Sequence, residues 1–175
     1  MTSSASRGFT LIELMITIAV LAIGSALAYP AFTSVIKSNR IATSTNGLLA
    51  AFNLARTEAI RSNRGGGVCP STSGAQCDGA DWNVGYLAYT DMDSSGTFTT
   101  GDTAIRYFEG NSALRLTAVA NGGGVSQIPF DRTGRTSQQA ELTLKLADCS
   151  TGQDYQRLIT LKRSGQARME KRSCQ

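Results

Sequence analysis

The chain has no histidine among its 175 residues. That absence removes Ser-His-Asp and Cys-His catalysis and every imidazole-ligated metal site. The four cysteines, Cys69, Cys77, Cys149 and Cys174, form no CxxC pair, which argues against a zinc centre. Charge is nearly missing from one long stretch, since Glu13 is the single ionic residue between Phe9 and Lys37. No internal repeat or low-complexity linker divides the remainder, and the roughly 145 residues beyond the apolar stretch suit one domain with its own core. No nucleophile, base and orienting group can be assembled from these residues, so an assembly or binding role is expected rather than an enzymatic one.

What is present begins at the amino terminus. Residues 1–8 are polar with one cation, Arg7, and run into Phe9 at the junction GFTLIEL. A secretory signal places its apolar core before the cut and discards it. Here the apolar segment follows the expected cut and stays with the mature chain. Residues 9–29, at about 1.5 Å rise per residue, cover the ~30 Å hydrocarbon core as a membrane-spanning helix. Glu13 is the anomaly within it, because a carboxylate at that depth costs roughly 2.5–3.5 kcal/mol. Cleavage between Gly8 and Phe9 would create an α-amino cation four residues away. A parallel neighbour shifted along the axis would bring its own amine onto Glu13, cancelling two charges and setting a stagger. The alternative is that Glu13 snorkels to the headgroups.

The segment from Gly8 to Glu13 resembles the class III leader of type IV pilins and pseudopilins. That resemblance implies a leader at residues 1–8, removal by a prepilin peptidase between Gly8 and Phe9, N-methylation of Phe9, and a Glu13 that meets a neighbour's amino terminus. It also implies an α+β, type IV pilin-like fold, in which a long N-terminal helix packs on an antiparallel sheet.

The rest of the sequence has its own organisation. Pro30 removes one backbone donor and is expected to bend the helix without ending it. The apolar spacing resumes at Phe32, Val35 and Ile36, thins through residues 38–46, and returns at Leu48, Leu49, Phe52, Ala55, Ala59 and Ile60. Residues 30–64 therefore read as the soluble half of the helix, stopped by Gly65, Gly66 and Gly67. Residues 65–175 read as a β-rich domain. Period-two runs occur at 82–90, 104–108, 114–120, 127–130, 141–147 and 157–161, and the clearest places Leu142, Leu144 and Leu146 on one face. One antiparallel sheet laid on the helix would bury both apolar faces.

An even cysteine count beyond a membrane span fits disulfides in an oxidising compartment, with three connectivities open. Cys69 with Cys77 and Cys149 with Cys174 is preferred, each closing a local loop. The count of cations flanking the span, Arg7 against Lys37 and Arg40, favours the opposite orientation. The cysteines and the leader outweigh it, giving a single-pass inner-membrane protein with its C-terminal domain in the periplasm. The resemblance also narrows here: NLARTEAIRSN at residues 53–63, WNVGYLAYTDMDSSG with DTAIRY, and FDRTGR with Cys149 resemble the GspH and FimT group of minor pseudopilins.

Two constellations carry possible chemistry. In DMDSSGTFTTGD, the residues Asp91, Asp93, Ser95, Gly96 and Asp102 follow the spacing of a calcium loop, oxygen ligands at alternate positions with a glycine for the turn. The same composition describes a hairpin turn, and strands rather than helices flank it. No cofactor other than this calcium ion is expected. The second constellation is charge. Residues 37–64 hold five cations and one anion, 65–153 five and nine, and 154–175 six and two. Arg157, Lys162, Arg163, Arg168, Lys171 and Arg172 therefore read either as a solvated strand and tail or as a phosphate-binding patch. Some FimT-type minor pilins bind DNA through a C-terminal GRxR motif. The similar stretch here is Gly165, Gln166, Ala167 and Arg168, with Gln166 in the first arginine's place and Arg163, Lys171 and Arg172 nearby to supply charge.

These readings converge on a minor pilin or pseudopilin built into a type IV pilus with other subunits, with double-stranded DNA as an expected partner of its basic end. The alternative is a minor pseudopilin of a type II secretion system.

Overall fold

The computed structural model describes residues 8–175, so the expected leader lies outside the described residues except for Gly8. It divides into two compact units, one ending at Ser38 and one spanning Asn39–Gln175.

In the first unit the chain becomes helical at Leu11, the start of α1 (Leu11–Ser62), and the helical backbone continues through Pro30. Thr10 caps it: its carbonyl accepts from the Leu14 amide at 3.1 Å and its hydroxyl from the Glu13 amide at 3.2 Å. The hydroxyls of Thr17, Ser25 and Ser34 donate back to the carbonyls of Leu14, Leu21 and Ala31 at 2.7–2.8 Å, which satisfies them without water. The large apolar side chains from Phe9 to Ile36 are all at least 54% exposed. A helix with so much exposed apolar surface needs lipid or other protein around it.

In the second unit α1 is one layer of a core shared with two sheets. Ile41, Leu48, Ala51, Phe52, Ala55 and Ala59 are buried on it, at helical spacing, while Ile60 remains about half exposed. Phe52 meets Phe130 edge-on, with ring centroids 6.5 Å apart. Asn63, at φ 53°, ends the helix in the left-handed region, and the Arg64 amide donates back to the Ala59 carbonyl.

The strands are β1 (Gly65–Pro70), β2 (Gly85–Asp91), β3 (Thr103–Glu109), β4 (Leu114–Ala120), β5 (Gly123–Gly124), β6 (Ile128–Phe130), β7 (Ala140–Leu146), β8 (Gln156–Leu161) and β9 (Ala167–Arg172). They form two antiparallel sheets, in the orders β3-β2-β1-β6 and β5-β4-β7-β8-β9, rather than the single sheet expected from the sequence. Three local expectations are corrected with it. Residues 82–84 form a short 3-10 turn instead of the start of a strand, capped by the Asp81 carboxylate, which accepts from the Asn83 amide. Residues 167–172 form an edge strand that their charge concealed. Gly65–Gly67 do not merely stop the helix, because they open β1, whose six residues are all buried. A Cβ on Gly66 would lie 2.8 Å from the Ala55 carbonyl oxygen and 3.0 Å from that of Tyr89, so the residue lets strand, helix and neighbouring strand approach closely.

The inner strands of sheet one, β1 and β2, are covered on both sides, while the edge strand β3 has no fully buried residue. Val68, Tyr86 and Ala88 face the main core, while Cys69, Leu87 and Tyr89 pack with Cys77, Phe98 and Tyr107 on the other side. Cys69 is joined to Cys77 and Cys149 to Cys174, with Cα separations of 5.6 and 5.9 Å. In sheet two, by contrast, Leu142, Leu144 and Leu146 of β7 and Ile159 and Leu161 of β8 are buried, and the alternate residues face outward.

Candidate functional site

Three regions hold the residues singled out by the sequence. The first is the start of α1. Phe9 is 82% exposed and Glu13 is exposed one helical turn later. The Thr10–Glu13 spacing is that of a capping box, of which the hydroxyl-to-amide half is made. The sequence reading assigned Glu13 to assembly and missed Thr10, although a Thr followed three residues later by Glu is the ordinary signal for a helix start. An acid in the first turn also suits the positive end of the helix dipole.

The second region is the acidic hairpin between β2 and β3. Carboxylate oxygens of Asp91, Asp93 and Asp102 lie within 4.8 Å of one another. Each already accepts backbone amides. Asp91 takes those of Ser95 at 3.1 Å and Gly96 at 2.7 Å, Asp93 that of Ser95 at 3.0 Å, and Asp102 those of Met92 at 2.7 Å and Thr99 at 2.5 Å. Ser95 donates its hydroxyl to the Thr97 carbonyl at 2.9 Å. Burial pushes the Asp91 carboxyl above its usual range, whereas the Ser95 side chain and amide hold that of Asp93 below it. Oxygen donors of this kind suit a hard divalent cation. The hydrogen bonds equally describe a turn tied to its own amides.

The third region is the outer face of sheet two. The strand registers align Arg115 of β4 with Lys145 of β7, Lys145 with Gln156 of β8, and Gln156 with Arg172 of β9. Neighbouring strands lie about 4.8 Å apart, so three cations and one amide cross the sheet as a row within roughly 15 Å. A parallel row runs Val119, Glu141, Thr160 and Arg168. Between the rows on β9, Glu170 lies 3.6 Å from Arg168 and 3.5 Å from Arg172, one carboxylate shared by two guanidiniums.

The residues named from sequence are thus divided. Arg168 and Arg172 share the outer face, while Lys171 alternates to the opposite side, opposite the buried Arg157. Arg157 donates to the carbonyls of Asp154 and Gln156, a structural use. Arg163 sits in the β8–β9 turn, where its carbonyl accepts from the Thr136 amide at 3.1 Å. Gly165, at φ +78° and buried, lets that turn close, since a Cβ there would strike the Gly134 carbonyl oxygen and lie 2.9 Å from Arg56 Nε. Beside it, Asn53, Arg56, Lys162, Gln166 and Arg168 border a cleft of about 340 Å³ that no carboxylate lines. Arg56, from the helix, therefore stands next to Gln166. Arg56, Arg115 and Lys145 were missed from the sequence. Only the alternation of β7, which turns Lys145 away from the leucines, hinted at the last.

Residues 44–165 match the family model described as type II transport protein GspH, and residues 3–29 match the prokaryotic N-terminal methylation motif. The chain is similar to the pilin-like protein PilA1 of Thermus thermophilus, at 29% identity over 94% of this chain and 98% of that protein. Its fold is similar to that of the type IV minor pilin FimU of Pseudomonas aeruginosa, with a TM-score of 0.57 at 16% identity over 76% of this chain and 90% of FimU. It is also similar to the minor pseudopilin EpsH from the type 2 secretion system of Vibrio cholerae, with a TM-score of 0.51 at 16% identity over 74% of this chain and 94% of EpsH.

Proposed function

The chain belongs to the GspH family of minor pilins and pseudopilins, and from that premise we propose that it is a subunit of a type IV pilus, assembled through α1 and displaying its β domain to capture DNA. The observation that carries assembly is an apolar helix, exposed along its whole first unit, with one carboxylate next to the expected new terminus. In this reading a prepilin peptidase cuts between Gly8 and Phe9, Phe9 is N-methylated, and the helix sits in the inner membrane with the β domain in the periplasm. The Phe9 amine of one subunit then pairs with Glu13 of the next, so neither charge remains alone in lipid. Glu13→Val is expected to leave membrane insertion and cleavage intact and to abolish incorporation into filaments, followed by filament shearing and immunoblotting. Full incorporation of that variant removes the pairing.

DNA capture is supported by the row of Arg115, Lys145 and Arg172 across sheet two, with Arg168 on the same face, and by Arg56 and Lys162 at the turn. Contact to phosphates alone would be sequence-independent, since the face offers no helix to a groove and no aromatic platform. Affinity is expected to fall with salt at a log-log slope of about −0.9 per phosphate neutralised. Titration of duplex DNA with the detergent-solubilised full chain at two salt concentrations tests this, and salt-insensitive binding refutes it. The alternative, a pseudopilin of a type II secretion system, is supported by the likeness to EpsH. The two separate on which subunits co-purify after crosslinking in membranes, those of a pilus or those of a secretion system.

A further inference from the structure

A cleft of about 460 Å³ opens where β1 begins, β2 ends and the chain leaves β6. Half-buried Pro129 is the apolar side chain it offers, Phe130 beneath being turned into the core, and Arg64, Arg132 and Arg135 line it. Two acids also line it, but both are turned onto their own loops. Asp91 is held by the Ser95 and Gly96 amides, and Asp131 by the hydroxyl and amide of Thr133 and the amide of Arg135 at 2.6–3.0 Å. Arg64 donates to the Met92 carbonyl. Among the described residues, Arg132 and Arg135 make no ion pair within 4.0 Å, and both are exposed.

The Arg135 charge acts on the Asp131 carboxylate without closing a salt bridge, so a half-buried proline beside two exposed arginines remains complementary to a carboxylate with an apolar neighbour. Guanidinium forks bind carboxylates bidentately, and an apolar neighbour of that carboxylate would cover Pro129. We infer that this cleft receives an acidic segment of another filament subunit, a carboxylate side chain with an apolar neighbour. The inference rests on the subunit reading given above. The contact is heterologous, one subunit's cleft against a different surface of the next, which is the geometry that propagates a filament instead of closing a dimer. It is separate from the pairing of Glu13 and from the cation row of sheet two, so each can fail alone.

The test uses the full chain in its membrane. A photoreactive benzoylphenylalanine replaces the exposed Ser137, which lines the cleft, and crosslinked partners are identified by mass spectrometry. Crosslinks to another pilin-type subunit are expected within a few residues of an Asp or Glu. They should fall about tenfold or more when Arg132→Glu and Arg135→Glu are added, because like charges then face each other. Restoration by reversing the charge of the partner's acid completes the case. Thermal unfolding of the double variant serves as the control for folding, and Arg132→Gln with Arg135→Gln replaces it if that variant unfolds. Crosslinks confined to neutral or basic stretches, to lipid or to DNA overturn the proposal, as do crosslinks unchanged by the substitutions or absent altogether. Glu13→Val, scored in parallel, shows separately whether the subunit reading has failed as well.

Discussion

The two sheets are built from similar strands and have opposite fates. β1 and β2 are buried at every position, with the helix on one side and the disulfide-tied loop and Phe98 on the other. β4, β7 and β8 bury alternate residues, and their other face collects Arg115, Lys145 and, from β9, Arg168 and Arg172. A sheet enclosed on both sides serves packing, and its residues tolerate little change of volume. A sheet open on one side tolerates substitution there, and that freedom is what allows a charged surface to develop.

The comparison predicts where substitutions harm stability and where they harm binding. The largest effect on stability is expected from replacing Cys149 and Cys174 together by serine, which releases a loop of 25 residues and costs about 3–4 kcal/mol by the chain-entropy argument, measured by chemical denaturation. Next, Gly66→Ala forces a methyl group against two carbonyl oxygens in the enclosed sheet and is expected to cost about 2–3 kcal/mol. A change below about 0.5 kcal/mol would show that the layers are looser than drawn. In the open sheet, Arg115→Ala with Arg172→Ala should leave the unfolding midpoint nearly unchanged and reduce the salt slope of DNA binding by about 2, one per cation. Glu170→Gln should do the reverse and tighten binding, since it frees two guanidiniums.

The smallest effect is a pH dependence. The Thr72 side chain and amide hold the Asp78 carboxyl below its usual range, and the Asn83 amide and side chain do so for Asp81. A carboxyl lowered in the folded state contributes stability above its unfolded value, about pH 4, and loses it as pH falls through the lowered value. Asp91, raised by burial, contributes in the opposite sense on the acid side. The unfolding midpoint is therefore expected to fall gently below about pH 4, and Asp78→Asn should flatten that fall in a circular-dichroism melt.

Much of this was legible in the chain itself. Helical periodicity located Leu48, Phe52, Ala55 and Ala59, and alternation located the leucines of β7, because each pattern repeats along one element and needs no partner to be read. β1 was illegible for the converse reason. A strand buried on both faces does not alternate, and a run of glycines resembles a helix stop. β9 was hidden because its charges sit on an edge strand, where solvent accepts them. The charged face was legible only in part, as Arg168 and Arg172 of the basic end, since Arg115 and Lys145 lie far off in sequence and become their neighbours only through strand register.

The sequence alone determined the apolar arm, its single acid at residue 13, and the helical and β periodicities, because these are local regularities set by side-chain chemistry. Tertiary structure decided that there are two sheets and not one, which glycines are spacers, and which cations meet. Those outcomes depend on pairing between distant segments, and register carries no mark in either segment by itself.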